Sequence, residues 1–472
     1  MNAPRTTGNG ATLRLAEFAS TLVFENIPGE VIDKARTCIL DALGCCLFGS
    51  TLVAVRTLAS MVAAEASGER AGVFGLSLRT SVSQAVLVNA ASAHAFQLDE
   101  IHIESTLHPG SLAVPTVLAL AEGEGNISGR EIITAMVAAY EVGIRIGLAA
   151  KGGMFSRGFH NQGTTGVFVA STAAARLLRL DPRQTRHALG IGASQAAGLM
   201  AVQEGAMTKG FHCGRAAQSG VYAAKLAQLG YTGIPNVLEA PYGGFFSSFA
   251  ENYSEDELTA DLGERWETLK VGFKPAPAAN GSITAMAAVD QIMRKHNLSA
   301  GDIEQVTALV STNTLHHCGW IYDPGNVQGV LAAQMNLRYG IAVMALEREA
   351  TVDQFREDKL RDPKILELIN RVRVEVEPRY DSGGGKHRVA CKAVVIGRNG
   401  ARYEAEVLYR KGSHEDPMTN NELAEKFIGL ATRAVPRESA RQLSETISKL
   451  ESLDNIDVLA QILANAVRND RC

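Results

Sequence analysis

No Cys-x-x-Cys pair occurs in this sequence, no cluster of Lys and Arg, no Gly-x-x-x-x-Gly-Lys-Ser/Thr loop and no long unbroken apolar run. Each absence argues against a class of function. Seven cysteines (Cys38, Cys45, Cys46, Cys213, Cys318, Cys391 and Cys472) are odd in number and scattered. They make neither a disulfide framework nor a zinc or iron–sulfur ligand set, and read as buried thiols of a reducing compartment. A net charge of -4 over 472 residues leaves no basic footprint for nucleic acid. Gly, Arg, Glu or Gln interrupts the apolar stretches before the roughly 18 to 20 residues that a membrane span requires. Residues 1–13 are polar, with no charged segment leading into an apolar core, so no secretory leader is expected and the cytoplasm is the expected location.

What is present is helical texture. Apolar residues make up 46% of the chain and charged residues 20%, the composition of a globular protein long enough to bury a large core. Helices are expected over 13–24, 28–47, 54–66, 81–95, 128–149, 165–178 and 181–200. Ser128 and Glu131 open the fifth of these with a capping-box pattern. Gly190 and Gly192 follow no strand and sit inside a helical pattern, so they are packing glycines and not a dinucleotide fingerprint. The texture changes near residue 270. Strands are expected over 306–311, 371–377, 388–396 and 402–409, the last two joined by Gly-Arg-Asn-Gly as a hairpin. Helices return over 421–430 and 440–453, where they can fold back onto the first part.

Four polar segments break this texture. His94 to Ser111 packs three histidines and three carboxylates into eighteen residues. Gly158-Phe-His-Asn-Gln-Gly-Thr-Thr-Gly166 is glycine-rich and leads into a helix. Met207 to Arg215 carries Lys209, His212 and Arg215, and Phe273 to Thr284 carries Lys274. Singly these are ordinary loop and surface residues. Together, histidines that exchange protons near neutral pH, basic side chains and close-approach glycines suit acid–base chemistry on an anion. No histidine pair has the helical spacing of a metal site, and neighbouring His316 and His317 point apart on one element, so no metal is expected.

The order and spacing of these segments resemble the MmgE/PrpD family, which includes 2-methylcitrate dehydratases, cis-aconitate decarboxylases and iminodisuccinate epimerases. The resemblance begins at Leu40-Asp-Ala-Leu-Gly-Cys-Cys-Leu-Phe-Gly49. It runs through Leu98-Asp-Glu, Leu107-His-Pro-Gly110, Gly158-Phe-His160 and Lys209-Gly-Phe-His-Cys-Gly-Arg-Ala-Ala217. Phe273-Lys-Pro275, Asn336-Leu-Arg-Tyr339 and Gly412-Ser-His-Glu-Asp-Pro-Met418 complete it.

The resemblance implies a mainly α fold. A large all-helical domain would come from both chain ends (1–270 and 412–472), with a smaller α+β lid over 271–411. It also implies a homodimer, and a site between the domains that uses neither metal nor cofactor. Catalytic roles fall on Asp99, His108, His160, Lys209 and Tyr339, and substrate binding on Lys274. Arg215 within the Lys209 motif, and Gln97 and Thr284 where the family carries other residues, join Lys274 as expected substrate contacts.

The implied activity is a dehydratase-type lyase acting on a small di- or tricarboxylic acid by proton abstraction alpha to a carboxylate. Thr284 stands where the family usually has histidine, and a hydroxyl is neither acid nor base near pH 7. An epimerase or isomerase, which only removes and returns a proton, is therefore the alternative. A cis-aconitate-type decarboxylase and, outside enzymes, a non-catalytic polycarboxylate binder are the further readings.

Overall fold

The computed structural model describes residues 10–65, 68–325, 329–382 and 386–465. Residues 1–9 of the polar N-terminus, residue 66 of the expected third helix and Cys472 lie outside the described residues; the other six cysteines are free and buried.

Helix Gly129–Ala149 is the spine of the larger core. Ser128 Oγ accepts from Glu131 N at 3.3 Å and Glu131 Oε2 accepts from Ser128 N at 2.9 Å, closing the expected capping box. By length and composition this 21-residue helix qualifies as a membrane span, which the sequence pattern did not anticipate, but 94% of its apolar window is buried inside the fold. Its two buried charges are satisfied internally. Glu141 accepts from Thr268 N at 2.8 Å and Thr268 Oγ1 at 2.7 Å, and Arg145 donates to the carbonyls of Ala260 and Arg265.

Helices Gly29–Gly49, Gly110–Glu124 and Gly166–Leu177 pack on the spine, and Val82–Ala93, Pro182–Ala193 and Thr208–Gln228 pack outside them in the same core. Small residues set their spacing. Gly190 lies against the backbone of Ile234 and Gly192 against Ser171, so Gly-x-Gly serves close packing. The expected helix over 181–200 stops earlier, at Ala193. Residues 194–199 leave the helix, and Gly198 takes a φ of +138° that side chains other than glycine's rarely adopt. The C-terminal helices Asn420–Ala431 and Arg437–Ser448 add Leu423, Phe427, Leu443 and Ile447 to this same core, so both chain ends build it.

A second core occupies the middle of the chain. Helices Asn280–His296 and Leu337–Glu347 pack with a four-stranded sheet. A short hairpin, β1 (Ala71–Val73) and β2 (Leu78–Thr80), precedes it in the chain. The sheet comprises β3 (Ile303–Val310), β4 (Val372–Val376), β5 (Cys391–Gly397) and β6 (Arg402–Val407), in the order β4-β3-β5-β6. β3 runs parallel to β4 and antiparallel to β5, and β5–β6 form the expected hairpin. β4 alternates in sequence, yet only Val372 is buried, because an edge strand has neighbours on one side alone. The cores meet where Phe48 stacks edge-on against Phe96, ring centroids 4.8 Å apart. Leu98 and Leu430, carried on segments that otherwise build the first core, belong with Phe48 and Phe96 to the second.

Candidate active site

The loop from His94 to Gly110 leaves the C-terminus of helix Val82–Ala93 and enters helix Gly110–Glu124. Three devices fix it. Ile101 and Gly272 exchange both backbone hydrogen bonds at 2.8 Å. Glu100 Oε1 accepts from Gly110 N at 2.8 Å and from Tyr140 Oη at 2.5 Å, tying the loop's two ends. Asp41 Oδ2 accepts from Glu100 N at 3.1 Å, while Lys426 donates to Asp41 Oδ1 at 2.6 Å and to Leu98 O at 2.8 Å. Gln97 and Thr106 hold φ values of 60° and 53°. A β-branched threonine there is strained, the kind of cost that a surrounding structure sustains at functional sites.

This clamped loop sorts its three histidines. His102 faces Glu267 at 3.5 Å and Ser105, and is part of the core. His94 and His108 both face one carboxylate. His94 Nδ1 lies 2.7 Å and His108 Nδ1 3.3 Å from Asp99 Oδ2. Burial pushes Asp99 up, but the His108 and His94 rings outweigh it and hold the carboxyl well below its usual range. Burial pushes His94 down to about 4 against the pull of Asp99, and lowers His108 as well. Near neutral pH the trio is therefore a carboxylate flanked by two neutral imidazoles. Its ligating atoms lie within 4.8 Å of one another, close enough to suit an ion. The chemistry argues against one: a single oxygen already faces both ring nitrogens, and the Lys209 and Lys274 charges act on the same groups.

His160 opens the turn Asn161–Thr164, where Asn161 Nδ2 donates to Ser105 O at 3.1 Å. Gln162 holds the His108 main chain at both polar groups, accepting from its N–H at 2.8 Å and donating to its carbonyl at 3.0 Å. The His160 ring lies 5.4 Å from that of His94. Burial first, then the neighbouring His94 and Lys209, push it well below the usual imidazole range, so it stands as a neutral base.

Opposite these histidines sit the cations. Burial and the charge of Lys274 push Lys209 down to about 7, with Asp99 opposing. Burial pushes Lys274 down to about 8, again against Asp99, and its Nζ donates to Gln97 O at 3.0 Å. Arg388 reaches from the segment before β5 to Ile103 O and Thr106 Oγ1. Among the described residues none of the three is paired with a carboxylate; Lys209 Nζ instead lies 4.0 Å from the Met335 sulfur. All three line one cleft with His108, His160, Gln97, Asn280 and His317.

Six of the nine residues expected from sequence thus gather in one place: Asp99, His108, His160, Lys209, Lys274 and Gln97. Three do not. Tyr339 is buried in the second core against Tyr322 and Phe355, and its hydroxyl donates to Gln354 O at 2.9 Å. Burial raises that phenol, which removes it from proton exchange. Arg215 is exposed on helix Thr208–Gln228 and bonds to Gln218, because it points away from the cleft that Lys209 enters. Thr284 is buried, and its hydroxyl serves the carbonyls of Gly281 (2.9 Å) and Val389, fastening a helix to the strand segment beside Arg388. Thr284→Val is expected to cost about 1–3 kcal/mol in denaturant unfolding with KM unchanged. A raised KM with full stability would return Thr284 to the substrate's contacts.

The sequence also left residues unassigned. His94 was legible as part of a histidine-rich segment but not as the partner of Asp99. His317 turns into the cleft while adjacent His316 is exposed, as neighbours on one helix should. Nothing in sequence marked Arg388.

Two family models and several known proteins match this chain. Residues 13–256 match the MmgE/PrpD N-terminal domain and residues 277–452 the MmgE/PrpD C-terminal domain. The chain is 30% identical to a cis-aconitate decarboxylase of Aspergillus terreus, over 98% of this chain and 97% of that protein. It is 27% identical to the Homo sapiens cis-aconitate decarboxylase (93% and 91% covered). With the 2-methylcitrate dehydratase of Escherichia coli K12 it shares 24% identity (88% and 89% covered).

Proposed function

The chain belongs to the MmgE/PrpD family, and on that basis we propose that it is a lyase removing carbon dioxide or water from a tricarboxylate of the cis-aconitate or methylcitrate kind. One observation carries the substrate class. Two buried lysines, Lys209 and Lys274, and the half-buried Arg388 line one cleft, and the carboxylate nearest them, Asp99, lies behind His108. Uncompensated buried charge is costly, and a polyanion entering from solvent supplies the missing counter-charge. The relatives' names, decarboxylase and dehydratase, favour a lyase over the epimerase that Thr284 suggested, and the higher identity favours decarboxylation. Thr284 is no obstacle to either reaction, since the proton-carrying groups lie elsewhere.

In decarboxylation the electrons of the breaking carbon–carbon bond move through the substrate's double bond onto a remaining carboxylate. Lys209, Lys274 and Arg388 stabilise that growing charge more than they stabilise the ground state. His160 or His108 delivers a proton to carbon, and the Asp99 carboxylate, 3.3 Å from His108 Nδ1, steadies that ring by its charge. The substrate's negative charge raises the depressed pKa of His108, which arms it as an acid. In dehydration the same base removes a proton alpha to a carboxylate, and the departing hydroxide leaves protonated as water.

A homodimer in the cytoplasm is the accompanying reading. Phe211, Tyr222, Leu226 and Leu229 on or just after helix Thr208–Gln228, with Tyr231 and Tyr242, form an exposed apolar face suited to a second copy.

Calorimetric titration with unreactive anions tests the site. One further charge-assisted contact is worth about 1.5–3 kcal/mol, so tricarballylate should bind about tenfold or more tighter than glutarate. Its affinity should fall as pH rises through 7 to 8, where Lys209 and Lys274 lose their protons. Equal binding of the two anions, or binding that strengthens with pH, would overturn the assignment.

A further inference from the structure

Resting on the lyase reading, we propose that His212 is a relay that carries protons between solvent and His160, although it touches no substrate itself. The two rings face each other with Nδ1 atoms 3.2 Å apart, the distance of an N–H···N hydrogen bond. His160 is buried and lines the cleft; His212 is half-buried and is not among the cleft residues. His212 sits three residues, just under a full turn, beyond Lys209 on helix Thr208–Gln228, so the helix that delivers the cation also delivers the relay.

The segment behind the pair is shaped to permit this contact. Gly198, with its φ of +138°, accepts from His160 N at 3.2 Å and passes under both rings. A side chain there would sit 3.2 Å from His212 Nδ1 and 3.5 Å from His160 Cβ. His160 thus has Nδ1 turned to His212, which leaves Nε2 for the substrate. His94 and His108, by contrast, turn Nδ1 to the buried Asp99, which offers no path outward.

The proton balance follows. When His160 gives its Nε2 proton to carbon, its Nε2–H bond breaks and a C–H bond forms. The Nδ1–H of His212 then breaks as Nδ1–H of His160 forms, and His212 takes a proton from water or buffer at Nε2. Solvent exchange returns the pair to its starting tautomers. One solvent proton is consumed per carbon dioxide released; abstraction in a dehydration runs the transfers in reverse.

The test uses His212→Ala and His212→Gln full-length enzyme with a polycarboxylate that the wild type turns over. In weak buffer kcat should fall about tenfold or more with KM unchanged, and added imidazole should restore it, while wild-type kcat ignores imidazole. Wild-type kcat in the variants, or a loss that imidazole does not repair in protein with a native circular dichroism spectrum, would overturn the relay. If the wild type turns over no polycarboxylate, the lyase reading fails separately. The hydrogen bond is then read directly from the nitrogen-15 shift of His160 Nδ1, which His212→Gln should move; an unmoved shift would overturn the pairing.

Discussion

Lys209→Met is expected to lower kcat/KM on the true substrate by roughly 10²–10³ and, in the same protein, to raise the melting temperature. The two effects share a cause. The ammonium is buried without a carboxylate partner, and burial holds it down at about 7. In the unfolded chain the same group titrates near the ordinary lysine value of 10.5. Between those values the unfolded chain binds more protons than the fold, so Lys209 destabilises the folded state. That penalty is full at and below pH 7 and fades as pH rises toward 10.5. The methionine variant should therefore gain most stability near neutral pH and none at strongly alkaline pH. A structural lysine would lose stability on removal; one kept for an anion loses activity and gains stability. Steady-state kinetics with thermal unfolding across pH distinguish them.

Asp99→Asn is expected to lower kcat by about 10²–10⁴ with a smaller change in KM. Asp99 Oδ2 faces Nδ1 of both His94 and His108. An amide of the same shape presents one acceptor and one donor, so at least one ring must abandon its tautomer or its orientation. His108 is the ring with the longer contact, 3.3 Å, and faces the cleft, so it is the one to be lost. The variant should fold, because Glu100, Asp41 and Lys426 hold the loop independently of Asp99. A variant with wild-type kcat would remove the dyad from the chemistry.

These sites differ in how far sequence reveals them. The helical core and the sheet's hairpin follow from short local patterns, capping residues and turn glycines, whereas the gathering of Asp99, His108, His160, Lys209 and Lys274 was expected from the resemblance of their motifs to the family. Patterns fail where a contact is made across long separations. Thr284 looks like a vacant catalytic position until its hydroxyl is seen bonded to Val389, over a hundred residues on. Arg388 enters the cleft only because the second core docks it against Thr106. Tyr339 shares a family motif with no cleft residue beside it, and its fate is decided by Tyr322 and Phe355. The helix expected to reach residue 200 breaks after Ala193 to bring Gly198 beneath the His160–His212 pair, a tertiary demand overriding a helical pattern.

The central claim is that the cation-lined cleft turns over a tricarboxylate by moving one proton at carbon. Proton NMR of the wild-type protein with cis-aconitate in deuterium oxide tests it most directly. Steady loss of cis-aconitate, with one deuterium on the product carbon that received the proton, is the predicted result. Cis-aconitate, citrate and methylcitrate that all remain unconverted and free of deuterium would contradict it.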